Sequence, residues 1–232
     1  MSPVVFVLIS AVGSFLIGGI PFGYLVGKHV LHDDIRNYGS GNIGATNVGR
    51  VLGWNWGGLV LLLDALKGLV PTGLTLLLAE RSLPESWTLH ATVAAGMTSI
   101  LGHMYPVYLS LRGGKGVATA LGVVLVVAPQ SMLFALVFFG IVVASTRQVA
   151  LASMTAALAF GISYLILAGN DAWDLRSGSL TAFAIGVPAL IVWRHRSNIS
   201  RLIAGTEPTI SQEVEVPSET DPVTDQPRQG DR

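Results

Sequence analysis

Seven runs of apolar residues, at about 4–27, 56–79, 88–108, 117–128, 131–146, 150–168 and 179–193, take up most of this chain. A run of ~20 such residues is what an α-helix needs to cross a bilayer, where each backbone amide must be bonded within its own segment. Composition agrees: 12% of residues are charged and 51% are hydrophobic, whereas a soluble domain carries about twice that charged fraction. The expected fold is all-α, a polytopic membrane protein of seven transmembrane helices. The runs at 117–128 and 131–146 are short, with Pro129-Gln130 as a break between them, so they are either a tilted pair or one re-entrant hairpin. The first run lacks a cleavage-site pattern and is read as a spanning helix. With no cysteine, disulfides, thiolate catalysis and cysteine-held metals are excluded.

The basic residues orient the bundle. Seven crossings with the N-terminus outside place Lys28, Arg36, Arg50, Arg112, Lys115, Arg147, Arg194, Arg196 and Arg201 on one side, and only Arg81 and Arg176 on the other. The positive-inside rule makes the crowded side, and the C-terminus, cytoplasmic. The formal net charge of zero hides an asymmetry. From Gly205 onward lie seven of the fourteen acids but only two bases, which leaves twelve bases against seven acids, net +5, in the rest. The chain is therefore divided into a membrane domain over 1–204 and an acidic tail over 205–232. The tail has four prolines and no apolar period, is expected to be disordered, and is assigned no chemistry.

Polar motifs concentrate on the cytoplasmic side. In Arg112-Gly-Gly-Lys-Gly116, the glycines Gly113, Gly114 and Gly116 free the backbone, Arg112 and Lys115 add charge, and an apolar helix begins near Val117. Amides, cations and a helix start describe either an anion site or a flexible basic turn. It is not a Walker A loop, because Gly116 stands where Ser or Thr is required. The loop Gly39-Ser-Gly-Asn-Ile-Gly-Ala-Thr-Asn47 interleaves glycines with Ser40, Asn42, Thr46 and Asn47, and ends at Arg50, which can hold a phosphate or carboxylate bidentately. Nine such residues in a row exceed what an ordinary turn needs.

Asp64 and Lys67, at i,i+3 on an apolar helix, either neutralise each other or present Lys67 to a substrate. His195 and Asn198 share a face at the end of the last helix, where a neutral imidazole can orient or deprotonate a hydroxyl. Arg194, Arg196 and Arg201 around them read as a basic collar against anionic lipid. His103 reads as interfacial packing. No zinc spacing, nucleophile elbow or aspartate-rich pyrophosphate motif stands out, so neither metal nor cofactor is expected, and no nucleic-acid partner. A transporter of anionic solutes is the competing class, and Asp64 with Lys67 is the feature that fits it best.

Taken together, these stretches resemble the acyl-phosphate:glycerol-3-phosphate acyltransferase family (PlsY) of bacteria. The matching strings are residues 39–47 with Arg50, Asp64-Ala-Leu-Lys-Gly68, Gly102-His-Met-Tyr-Pro106 leading into Gly113-Gly-Lys-Gly-Val-Ala-Thr119, and Arg194-His-Arg-Ser-Asn-Ile199 leading to Gly205-Thr-Glu207. They span nearly all of residues 1–207, in family order. The resemblance implies a seven-helix enzyme of the bacterial inner membrane that faces the cytoplasm; separately, the chain is expected to be able to function as a monomer, with its oligomeric state left open. It would move a fatty acyl group from acyl phosphate to the 1-hydroxyl of glycerol 3-phosphate, giving lysophosphatidic acid and phosphate. Carried over by position, Ser40, Arg50, Lys115, His195 and Asn198 are catalytic. The glycines around Lys115 form the phosphate loop, and Ser153 matches a serine early in the sixth helix. Two positions depart from the family pattern, Ser197 where Glu is frequent and Ala150 where Ser is usual.

Overall fold

The computed structural model describes residues 1–212, and all regular structure within them is helical. Ten α-helices follow in order: α1 (Pro3–Gly18), α2 (Phe22–Val30), α3 (Ala45–Leu52), α4 (Trp54–Ser82), α5 (Glu85–Met104), α6 (Val117–Val127), α7 (Pro129–Thr146), α8 (Val149–Ala168), α9 (Gly178–Arg194) and α10 (Arg196–Ile203). Every expected apolar run is thus helical. Four segments are long and apolar enough to cross a membrane: Pro3–Val30, Trp54–Ser82, Pro129–Thr146 and Val149–Trp173. The eleven residues of α6 rise ~16 Å, about half a hydrocarbon core. Two short helices not read from the sequence, α3 and α10, are polar on one side and lie at the edge of the bundle.

The first apolar run is interrupted between α1 and α2 because Pro21 has no N–H to continue the ladder. At the interruption the Ile20 carbonyl leaves the i→i+4 ladder and accepts from Phe22 N–H at 3.1 Å and from Lys67 Nζ at 2.8 Å. A second proline acts similarly inside α4. Pro71 cannot donate to the carbonyl of Lys67, and Ser99 Oγ of α5 takes that carbonyl instead, at 2.6 Å. Side chains of other segments thus serve both carbonyls, as backbone in a low-dielectric medium requires.

Close crossings bring the elements of the site together. α4 and α6 meet at Gly68 and Gly122, where an added Cβ would strike the Thr119 and Ala65 carbonyls. α1 and α5 meet at Gly18 and Gly102, against the backbone of Ser99 and Phe15. Small residues at helix crossings are how membrane helices pack without a hydrophobic drive between them. One buried cluster joins α5, α6, α8 and α9 through Ile100, Val123, Phe160, Phe183 and Val187. A second, Ile35, Ile43, Val48 and Val60, lies beneath the 39–47 loop. The outward faces of α1 and α7 carry exposed Leu, Val, Ile and Phe, as lipid contact demands.

Candidate active site

The glycine-rich loop before α3 is built around one side chain. Gly39 and Gly41 take left-handed backbone angles (φ 60° and 68°), which turns the chain back on itself. Asn47, buried at the start of α3, then staples the loop shut. Its Oδ1 accepts from Ser40 N (2.8 Å) and Ser40 Oγ (3.1 Å), and its Nδ2 donates to the carbonyls of Tyr38 (3.1 Å) and Asn42 (2.9 Å). Asn42 Oδ1 accepts from Gly44 N at 2.9 Å. Asn47 and Asn42 thus hold Ser40 in place and aim the N-terminus of α3, at Ala45 and Thr46, into a cavity.

That cavity encloses about 700 Å³ including its open mouth, and is lined by Ser40, Asn42, Thr46, Asn47, Arg50, Asp64, His103, Lys115, Gly116, Ser153, His195, Asn198 and Glu207, among others. The five residues expected to be catalytic all face it, although they come from four separate segments. Lys115 Nζ donates to Asn198 Oδ1 at 2.5 Å, Asn198 Nδ2 to Glu207 Oε1 at 2.7 Å, and Arg201 Nε to Glu207 Oε2 at 2.9 Å. The chain of bonds fixes the Asn198 amide with its oxygen toward the ammonium. Arg50, 8% exposed, donates from Nη2 to the Pro208 carbonyl at 2.9 Å, while its Nε is buried without a partner.

Charge states follow from burial. Loss of solvent pushes Lys115 down to about 8, opposed by Glu207 and reinforced by Arg201, Arg50 and Arg194. Burial likewise lowers Arg50, again opposed by Glu207, and a guanidinium stays charged regardless. His195 is pushed down to about 4 by burial and the Lys115 ammonium, so its ring is neutral at pH 7. Its Nδ1 lies 2.8 Å from the Ile191 carbonyl, which can only accept, so Nδ1 carries the proton and Nε2 keeps its lone pair.

Four residues expected at the site do not line the cavity. Lys67 is committed elsewhere: it pairs with Asp64 at 2.9 Å, bonds Ile20 and sits 5.7 Å from the Phe22 ring centroid, contacts that favour the neutralising reading of the pair. Arg112 is exposed outside the lining. Gly113 and Gly114 spend their N–H groups on the Met104 and His103 carbonyls, at 3.2 and 3.1 Å, rather than offering them to an anion. Of the three loop glycines only Gly116 lines the cavity, with a left-handed φ of 82° that starts α6. Ser153 does line it, with its hydroxyl bonded to the Val149 carbonyl at 2.8 Å.

Glu207 is the residue that composition hides. It stands among the tail acids, yet it is buried and completes the polar chain at Asn198, so the boundary drawn after residue 204 cuts through the site. The remainder of the acidic tail, 213–232, lies outside the described residues. The sequence signal for Glu207 is the string Gly205-Thr-Glu207 rather than any local pattern. Asp64 and His103 also reach the cavity from α4 and α5.

Comparison with known proteins places this architecture. The family model for glycerol-3-phosphate acyltransferase matches residues 8–205. The glycerol-3-phosphate acyltransferase of Myxococcus xanthus is 45% identical over 193 residues, which is 83% of this chain and 94% of that protein. The one from Aquifex aeolicus is 46% identical over 196 residues, 84% and 94% of the respective chains. A crystal structure of PlsY, an integral membrane glycerol 3-phosphate acyltransferase, in its glycerol 3-phosphate form superposes with a TM-score of 0.76 at 40% identity, covering 88% of this chain and 94% of that one. Its lysophosphatidic acid form gives 0.74 at 38% identity, covering 89% and 96%. This chain, an integral membrane protein by its apolar helices and these matches, belongs to the glycerol-3-phosphate acyltransferase family.

Proposed function

We propose that this protein moves a fatty acyl group from acyl phosphate to the 1-hydroxyl of glycerol 3-phosphate, at the cytoplasmic face of a bacterial inner membrane. The observation that carries the reading is the gathering of Ser40, Arg50, Lys115, His195 and Asn198 around one cavity. Both substrates carry phosphate, and the cavity offers two cations from different elements, Arg50 on α3 and Lys115 before α6. A donor with phosphate as leaving group is already activated, so charge stabilisation and positioning suffice and no covalent nucleophile is required. Seven crossings with the N-terminus outside fit the basic residues at this end, and a monomer suffices for activity because the cavity is built within one chain.

In this mechanism Lys115 holds the phosphate of the acyl donor, with the acyl tail between helices. Ser40 and the unpartnered Nε of Arg50 hold the phosphate of glycerol 3-phosphate. The substrate 1-hydroxyl oxygen attacks the acyl carbon, and Asn198 and His195 align that hydroxyl. The developing oxyanion faces the α3 N-terminus at Ala45 and Thr46, whose amides are not needed within the helix. The carbon–oxygen bond to phosphate then breaks and phosphate leaves. The hydroxyl proton passes to the phosphate of glycerol 3-phosphate. With a second pKa of about 6, that group is a better base than an imidazole held at about 4. His195 therefore accepts a hydrogen bond at Nε2 rather than keeping the proton.

The test is purified protein with glycerol 3-phosphate and palmitoyl phosphate, followed for lysophosphatidic acid and released phosphate in equal amounts. Phosphate release without lysophosphatidic acid, or neither product, refutes the reaction. In the same assay His195→Gln, which still offers an acceptor, should retain activity within about tenfold to a hundredfold of the parent. Complete loss in a folded variant would make the imidazole the obligate base.

The Lys115 ammonium also predicts a pH profile. Being lowered to about 8, it should deprotonate above that pH in the free protein, so kcat/KM falls as pH rises through 8. Lys115→Arg, with a cation that does not titrate there, should remove that alkaline limb. A limb unchanged in this variant would assign it to another group.

A further inference from the structure

The Gly113-Gly114 peptides are held from two sides by residues that the reaction scheme above does not use. On one side Arg194 donates from Nη2 to the carbonyls of Gly113 (3.0 Å) and Gly114 (2.7 Å). Its guanidinium lies over the Tyr105 ring, 5.3 Å from the centroid, a cation–π contact. On the other side, the end of α5 takes both amides: Gly113 N–H donates to Met104 and Gly114 N–H to His103. The His103 ring, 3% exposed, fills the space that a Cβ on Gly114 would need. Asp64 Oδ1 stands 3.7 Å behind its Nδ1.

Arg194 does not line the cavity, so its position is not that of a phosphate ligand. Nor is it free to serve lipid, as a basic collar would be. It stands at the last residue of α9, immediately before His195 and four residues before Asn198, and it binds the loop that carries Lys115. One side chain therefore ties together the segments that supply Lys115, His195 and Asn198.

We propose that Arg194 and His103 are positioning residues for acyl transfer, gripping Gly113-Gly114 between them and so setting where Lys115 stands relative to Asn198 and His195. The inference rests on the role given to Lys115 above. Neither side chain needs to touch the reacting atoms, because a loop with free glycines on one side of a lysine leaves its ammonium to wander unless the peptides are anchored.

The test is a double-mutant cycle on the full chain, with glycerol 3-phosphate and palmitoyl phosphate. Arg194→Met should lower kcat by about 10- to 100-fold while KM for glycerol 3-phosphate changes by less than about threefold. In a Lys115→Ala background the same substitution should cost less than about threefold more, since the group being positioned is already gone. Additive losses overturn this inference while leaving the Lys115 assignment standing. A Lys115→Ala variant with activity near the parent overturns both.

A second readout is the alkaline limb. Facing Lys115 are the cations Arg50 on α3, Arg201 on α10 and Arg194 on α9, the acids Glu207 after α10 and Asp64 on α4, and the histidines His103 and His195. Removing Arg194 takes away one like charge and loosens the loop toward water, and both changes raise the ammonium pKa. The limb should move above 8 in Arg194→Met, and an unmoved limb contradicts the proposal. General destabilisation would not shift it.

The opposite grip is tested from the glycine. Gly114 is not in the left-handed region, so Ala is allowed by its backbone and only the His103 ring opposes it. Gly114→Ala and His103→Ala should each lower kcat about tenfold or more, and the two together should cost less than about threefold more than either alone, because the new methyl then meets no ring and the grip is already lost. Additive losses, or a His103→Ala variant with activity near the parent, rule out the ring as one jaw of the grip.

Discussion

Lys115→Ala should lower kcat/KM about 100-fold or more, ~3 kcal/mol of transition-state stabilisation, with the loss chiefly in kcat. The reason is differential. The ammonium donates to Asn198 Oδ1, a neutral acceptor. As the acyl–phosphate bond breaks, negative charge grows on the departing phosphate. A half-buried cation with few competing waters is worth more to that charge than to the intact donor. Lys115→Arg should retain part of the activity, because the charge survives while the fit to Asn198 does not. A near-parent kcat/KM for folded Lys115→Ala would sink the phosphate clamp.

Lys67→Met should destabilise the protein by about 3–5 kcal/mol, read as a lowered thermal midpoint in detergent, because it strands a buried carboxylate. Asp64 is 2% and Lys67 4% exposed, the pair is 2.9 Å apart, and the same ammonium also serves the Ile20 carbonyl at the break before α2. Removing Lys67 therefore leaves one charge uncompensated within the bundle and takes one of the two donors from the Ile20 carbonyl, which keeps the Phe22 N–H. The double substitution Asp64→Leu with Lys67→Met should be less damaging than Lys67→Met alone, since no charge then remains to be compensated. Activity lost from the folded single variant through KM for glycerol 3-phosphate, with stability intact, would instead restore Lys67 as a substrate contact.

Helical class, membrane setting and the place of nearly every apolar helix were legible in the chain itself. Hydrophobicity over ~20 residues is a local property, and in lipid it leaves the backbone no other regular choice than a helix or a closed barrel. The short helices α3 and α10 were not legible in that way, because eight polar-faced residues carry no span signal and acquire their place from the bundle they rest on. The break before α2 was hidden too: hydropathy runs smoothly through Ile20-Pro21, and only the missing proline N–H divides the run.

Residue types and their order in the chain singled out Ser40, Arg50, Lys115, His195 and Asn198, which the fold gathers at one cavity, and family resemblance proposed their roles. Only the tertiary structure could decide which polar groups remain available once their neighbours have claimed them. Asn47 is consumed by Ser40 and the carbonyls of its own loop, Lys67 by Asp64, and the Gly113 and Gly114 amides by the end of α5. Conversely, Glu207 left the acidic segment for Asn198, and Arg194 left the basic collar for the glycine carbonyls. Charge and spacing record what a side chain can do. A hydrogen bond is exclusive and acts over about 3 Å, so what the side chain does is settled by which partner the fold brings within that distance.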